Sequence, residues 1–266
     1  NRTPGVRSWL RRDCPGGIWT AWHERGSVKM ATLRFYGEGL PAAENLDAGG
    51  KLIVLEGPDG VGRSTQVALL REWLEAAGYA VFSSGFKRSE LASQGIEAAK
   101  RGHTMGNLTM ALFYAADLAD RLEREIIPML KAGFVVLTDR YIYSMMARAR
   151  VRGTDSEWLR SLLGFAVIPD RILYLKADVR SLLPRVLSSR GFDYWESGMD
   201  YLGYSDYYAS YLEHQERMHR ELDAMSEEYG FYTIEASQPI DRVFADLKRA
   251  VEEVVQDLKP ARLAMP

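Results

Sequence analysis

The sequence predicts an α/β protein, a parallel sheet flanked by helices on both faces. Three observations carry this. Short apolar runs alternate with stretches of helical period from Lys51 onward. A glycine-rich turn joins the first apolar run to the first helical stretch. No internal repeat or low-complexity tract interrupts the alternation.

Leu52-Ile53-Val54-Leu55 is short and wholly apolar, as a buried strand is. Val67, Leu70, Leu74 and Ala77 then recur at helical spacing, and Gly78 stops the helix. Tyr79 to Ser84 reads as a second strand. Leu108, Leu112, Ala115, Ala119, Leu122, Ile126 and Leu130 form one long helical stripe ended by Gly133, which serves as core or as an interface. On its polar side Asp117 and Arg121, and Asp120 and Arg124, stand four apart and can pair. Phe134-Val135-Val136-Leu137 is a third strand and Arg171-Ile172-Leu173-Tyr174-Leu175 a fourth. A tyrosine-rich helix spans about 204–228, and Phe231 to Ile234 gives a fifth strand. Ile240, Phe244, Leu247, Val251, Val254 and Leu258 mark the last helix.

One domain, 50–258, holds all of these elements. Residues 1–49 carry prolines and glycines without a sustained period and are expected to be a leader, disordered or left from cloning, with Met30 as a natural start. Arg2, Arg7, Arg11 and Arg12 make its start basic, but no apolar stretch follows, which argues against a secretory signal. Residues 259–266 form a C-terminal tail.

The 266 residues are 47% hydrophobic and 26% charged, with a net charge of −2. That balance gives no ground for nucleic acid or a membrane as a bulk partner. The single cysteine, Cys14, rules out a disulfide within the chain and fits a reducing, cytoplasmic location. His23, His103, His214 and His219 are scattered, without the spacing of a metal cage.

The chemistry lies in Gly57-Pro58-Asp59-Gly60-Val61-Gly62-Arg63-Ser64, followed by Thr65. Following a strand and opening a helix, such a loop points successive N–H groups at a phosphate chain, and the helix N-terminus adds partial positive charge. Ser64 stands where a hydroxyl ligates Mg²⁺. The usual loop has lysine where this one has Arg63. Arginine keeps the charge but is planar and bulkier, so phosphate binding survives the change better than phosphoryl transfer does. The third strand leads into Thr138-Asp139-Arg140-Tyr141, where Asp139 can hold Mg²⁺ and Arg140 can meet an acceptor phosphate.

Four segments in order resemble the thymidylate kinases: Leu55-Glu56-Gly57 through Arg63-Ser64-Thr65, Leu112-Phe113-Tyr114-Ala115-Ala116-Asp117, Asp139-Arg140-Tyr141 and Leu173-Tyr174-Leu175. The resemblance runs from about Lys51 to Val255. It implies a P-loop NTPase fold with a five-stranded parallel sheet and a mobile lid, homodimers, and transfer from ATP with Mg²⁺ to dTMP, giving dTDP on the way to dTTP. By position it implies that Asp59 lies near the acceptor and metal, and that Arg63 and Arg140 act at the transferred phosphoryl group. It also implies that Arg88 and Arg140 bind the acceptor phosphate, that Phe113 or Tyr114 stacks on the base, and that Arg185 and Arg190 belong to the lid.

Two departures bear on base selectivity. The family's base-fixing arginine falls at Asp117 or Leu118, and a common tyrosine falls at Arg148. They leave open a related kinase with another base preference. Arg63 leaves open a nucleotide-binding protein with weak or lost catalysis.

Overall fold

The alternation of apolar side chains along the strands decides the architecture. The computed structural model describes residues 30–40, 46–86, 89–189 and 191–258. Strands β1 (Ala31–Thr32) and β2 (Asp47–Ala48) pair antiparallel. The main sheet consists of β3 (Lys51–Glu56), β4 (Val81–Gly85), β5 (Val135–Asp139), β6 (Arg171–Lys176) and β7 (Tyr232–Glu235). All neighbours in it are parallel, in the order β4-β5-β3-β6-β7. This is the expected five-stranded sheet.

The helices are α1 (Arg63–Ala76), α2 (Ser93–Arg101), α3 (Asn107–Arg121), α4 (Ile127–Lys131), α5 (Ile142–Arg150), α6 (Ser156–Leu162), α7 (Val179–Ser189), α8 (Tyr207–Tyr229) and α9 (Ile240–Val255). Successive strand residues point to opposite faces. Ile53, Leu55, Val135, Leu137, Leu173 and Leu175 therefore meet α1 and α9 on one face. Leu52, Val54, Val136, Ile172 and Tyr174 face a second core built with α3, α5 and α8.

The long stripe is not one helix. A π-helical turn, Leu122–Ile126, separates α3 from α4. Pro128 has no N–H to donate at the start of α4, and the wider turn accommodates that loss. Along the stripe Leu122, Ile126 and Leu130 are core, whereas Leu108 and Leu112 are exposed.

The two expected ion pairs form, but only one of them on a polar surface. Asp120–Arg124 is 2.7 Å, with Arg124 exposed. Asp117–Arg121 is 3.0 Å and wholly buried. Ser84 accepts from Arg121 at 3.3 Å and the Ser89 N–H donates to Asp117 at 3.2 Å, so polar groups from β4 and the segment after it support this pair inside the protein, although Arg121 Nη2 is buried without a hydrogen-bond partner among the described residues.

The packed unit also extends N-terminal of residue 50. Tyr36 and Gly37 donate backbone bonds to Ala166 and Gly164 at 3.1 and 2.8 Å, and Ile168 donates to Arg34 at 2.8 Å. Ala48 is buried, with Leu33, Phe35 and Tyr36 packed on the core.

Candidate active site

β3 ends at Glu56, and the chain turns through 57–62 into α1. Gly57 has φ 149°, and a Cβ there would lie 2.6 Å from the carbonyl oxygen of Leu175. The loop thus lies too close to β6 for any side chain at this position. At Gly60 a Cβ would meet Val186 of α7 at 2.8 Å, so α7 rests directly on the loop. Helix α1 opens at Gly62 without a side-chain cap. An uncapped helix start leaves its first N–H groups, at Arg63, Ser64 and Thr65, able to meet an anion.

Arg63 folds back over this loop. Its Nη1 donates to the Gly57 carbonyl at 2.5 Å and to that of Pro58, and its Nε donates to Asp139 Oδ1 at 2.7 Å. Ser64 Oγ donates to Asp139 Oδ2 at 3.0 Å. Burial opposes ionisation of Asp139, but the Arg63 charge and hydrogen bond, with Arg140 and Ser64, outweigh it and hold the carboxyl below its usual range.

Among the described residues no three His, Cys, Asp or Glu side chains gather to hold a metal. The Ser64 and Asp139 oxygens are the donor set this site offers. Hard oxygens in small number suit Mg²⁺, which keeps waters and takes further ligands from phosphates.

Arg140 follows β5 in a left-handed conformation, φ 71°. Its N–H bonds Leu55 at 2.9 Å, and its guanidinium donates to Asp59 and, at 3.2 Å, to Ser144 Oγ. Burial and the nearby Arg63 charge push Arg140 down to about 10, with Asp59 opposing, so the group stays cationic at neutral pH. Glu56 holds this corner in place. Its carboxylate accepts from the N–H groups of Tyr141 at 2.9 Å and Ser144 at 3.2 Å and from Ser144 Oγ, capping α5 from another element. Burial raises the Glu56 carboxyl above its usual range despite these donors.

Asp59 is the hub. It meets Arg140, Arg63 at 3.8 Å and Arg148 at 3.9 Å. It also lines a cleft beside the phosphate loop, with Tyr114, Arg148, Arg152, Trp195 and His214. A second hollow adjoins it, sharing Met110, Tyr114, Arg148 and Arg152. Arg152 pins the segment after α7 through both oxygens of Asp200, at 2.7 and 2.9 Å. Trp195 Nε1 ties the same segment to the Lys100 carbonyl at 3.1 Å.

A glycine-rich loop beside a cleft lined by Lys100, Arg148 and Arg152, the carboxylates of Asp59 and Glu196, and the rings of Tyr114 and Trp195 agrees with a sequence comparison. A family model described as thymidylate kinase matches residues 55–247. The chain belongs to the thymidylate kinase family. It is 35% identical over 210 residues to the probable thymidylate kinase 2 of Saccharolobus solfataricus, covering 78% of this chain and 98% of that one. It is 40% identical over 148 residues to the probable thymidylate kinase of Thermococcus kodakarensis, covering 52% and 72%. Identity with the thymidylate kinase of Clavibacter sepedonicus is 38% over 148 residues, covering 53% and 70%.

Within this thymidylate kinase fold the expected site residues separate. Gly57, Pro58, Asp59, Gly60, Val61, Gly62, Arg63, Ser64, Asp139 and Arg140 come together at the loop. Tyr114 faces the cleft, whereas Phe113 packs on Gly95 of α2. Arg185 is exposed on α7, the helix whose Val186 covers Gly60. Arg88 and Arg190 lie outside the described residues.

The sequence reading did not assign site roles to Glu56, Ser144, Arg148, Arg152 or His214. For Glu56 a signal exists: a carboxylate ending an apolar, buried strand must find donors. Among the described residues no helix is long and apolar enough to cross a membrane.

Proposed function

We propose that this chain transfers the terminal phosphoryl group of ATP to dTMP, giving ADP and dTDP. The observation that carries the reading is Asp59, which belongs at once to the phosphate loop and to the cleft lined by Lys100, Arg148 and Arg152. Two anionic nucleotides meeting there would repel each other. Arg63, Arg140 and Arg148 around that carboxylate offset the repulsion.

In this reading the N–H groups of Gly57 and of 59–65 hold the donor phosphates, and Ser64 with Asp139 holds Mg²⁺. Mg²⁺ bound there neutralises charge on the donor phosphates. Arg63 and Arg140 face the transferred group, and Asp59 orients Arg140. Arg88 joins Arg140 on the acceptor phosphate, and the Tyr114 ring, rather than Phe113, lies against the base. Arg185 and Arg190 complete the charge when α7 and the chain after it close as a lid. A homodimer through the exposed Leu108 and Leu112 face and a cytoplasmic location accompany this role.

One observation favours a second reading, a nucleotide binder with slow or lost transfer. Arg63 is engaged by Asp139 and by two loop carbonyls, contacts it would have to give up to follow a transferring phosphoryl group. A coupled assay of ADP formation, with ATP, Mg²⁺ and a panel of nucleoside monophosphates, tests both. Acceptor-dependent turnover highest with dTMP supports the kinase. Turnover highest with another monophosphate transfers the role to that acceptor. Tight ATP binding with no acceptor-dependent turnover, restored by Arg63→Lys, supports the binder.

A further inference from the structure

The arginines around Asp59 and its cleft differ in how fully they are engaged. Arg140 has Asp59 and Ser144. Arg152 has both oxygens of Asp200, and the carbonyls of Arg148 and Trp195 at 2.9 and 3.0 Å. Arg148 has much less. Among the described residues no hydrogen bond reaches its guanidinium. Asp59 Oδ2 lies 3.9 Å away, and the Phe86 ring centre lies 5.9 Å from its central carbon. Yet its side chain is only 17% exposed. A guanidinium carries five donors, and those of Arg148, which lines both the cleft and the hollow beside it, have no hydrogen-bond partner among the described residues. The arrangement is explained if acceptors arrive with a ligand.

Both Arg140 and Arg148 approach the same carboxylate, from opposite oxygens. Their donors therefore flank one small anionic group, one at each of its oxygens. A phosphate monoester, with three acceptor oxygens and up to two charges, can bridge such a pair. A base carbonyl brings one acceptor atom and no charge, and would leave one cation unmatched.

We propose that Arg148 binds the phosphate of the acceptor nucleotide, forming with Arg140 a two-guanidinium clamp across Asp59. This rests on the reading of the chain as a monophosphate kinase. The clamp makes the site discriminate by phosphorylation state: a nucleoside monophosphate binds and the parent nucleoside binds poorly. Arg148 is then an acceptor-binding residue supplied by α5, two turns beyond Arg140.

Calorimetric titration of the full chain and of Arg148→Gln, with dTMP and with thymidine, tests the clamp. The expected result is a loss of roughly tenfold to hundredfold in affinity for dTMP, with thymidine affinity changed less than twofold. Arg148→Lys, which keeps the charge, should recover part of the dTMP loss. It also provides a folded comparison should Arg148→Gln unfold. Equal loss for dTMP and thymidine would overturn the clamp and assign Arg148 to the sugar or base. No loss for either would overturn it as well. If the panel assay shows another monophosphate to be the acceptor, that nucleotide and its nucleoside form the test pair. Failure of dTMP as substrate is thus separate from failure of the clamp.

Discussion

Arg63 Nε lies 2.7 Å from Asp139 Oδ1, so the loop's own cation occupies the carboxylate proposed to hold Mg²⁺. Ser64 takes the other oxygen at 3.0 Å. If Asp139 binds Mg²⁺ directly, these contacts compete with the metal. Lysine at this position has a single point charge and cannot hold Asp139 and two carbonyls in one plane. Arg63→Lys is therefore expected to raise turnover about tenfold and to lower the Mg²⁺ concentration needed for half-maximal rate. Arg63→Ala should lower turnover by about a hundredfold. Steady-state rates over a Mg²⁺ series check this. Identical Mg²⁺ curves for the unmodified chain and Arg63→Lys would mean that the ion pair does not compete with the metal.

Tyr114 and Phe113 should separate cleanly. Stacking on a base is worth roughly 1–3 kcal/mol. Tyr114→Leu is therefore expected to raise the acceptor KM about tenfold or more, with the ATP KM unchanged. Phe113→Leu should leave both within about twofold and lower the melting temperature, since Phe113 packs on Gly95. The reverse pattern would return the base-stacking role to Phe113.

The buried pair Asp117–Arg121 is a structural element of this fold. Removing either partner leaves a charge without its partner in the core. Arg121→Ala or Asp117→Ala should each cost about 3–5 kcal/mol in urea unfolding. Replacing both with leucine should cost less than either single change. Single variants within about 1 kcal/mol of the parent would show that the pair is as dispensable as a surface one.

His214 gives the protein an acid limit. Burial first, then the Arg152 and Arg148 charges, lower its pKa from 6.5 to about 3. The unfolded chain therefore binds a proton that the folded chain refuses. The contribution of neutral His214 is complete above pH 6.5 and is lost as pH falls toward about 3. Between those limits stability should fall by up to about 1.4 kcal/mol per pH unit from this group. His214→Asn should flatten that slope between pH 6.5 and 4.5, measured by urea unfolding at each pH. An unchanged slope would assign the acid lability elsewhere.

Leu108 and Leu112 stand one turn apart on α3 and are both exposed. If they form the homodimer face, sedimentation should give a dimer for the parent and a monomer for the Leu108→Glu, Leu112→Glu double variant. A monomeric parent would remove the dimer from the proposal.

Much of the fold could be read from the sequence because its signals are local. Strands β3, β5 and β6 are apolar runs, and the glycines of 57–62 announce the turn. The two-residue strands β1 and β2 have no period to detect, so the segment before residue 50 looked featureless. The exposure of Asp117 and Arg121 was misjudged because helical spacing shows that they pair, not which side they face. The loop side of the site was legible for the same local reason. The cleft side was not. Arg148 reaches Asp59 from 89 positions away in sequence, and that return depends on how α5 lies against the sheet. Phe113 and Tyr114 are neighbours that helical geometry turns about 100° apart, and only packing assigns one of them to the cleft.

Arg140 keeps a backbone shape that glycine or asparagine would adopt with less strain, at φ 71°. A chain released from its substrate would drift toward those residues and gain stability by doing so. Arg140 already pairs with Asp59 and Ser144 there, and an acceptor phosphate meeting it would add a reason to keep the arginine despite the strain. The strain at this one residue is thus a running expense of being a working enzyme.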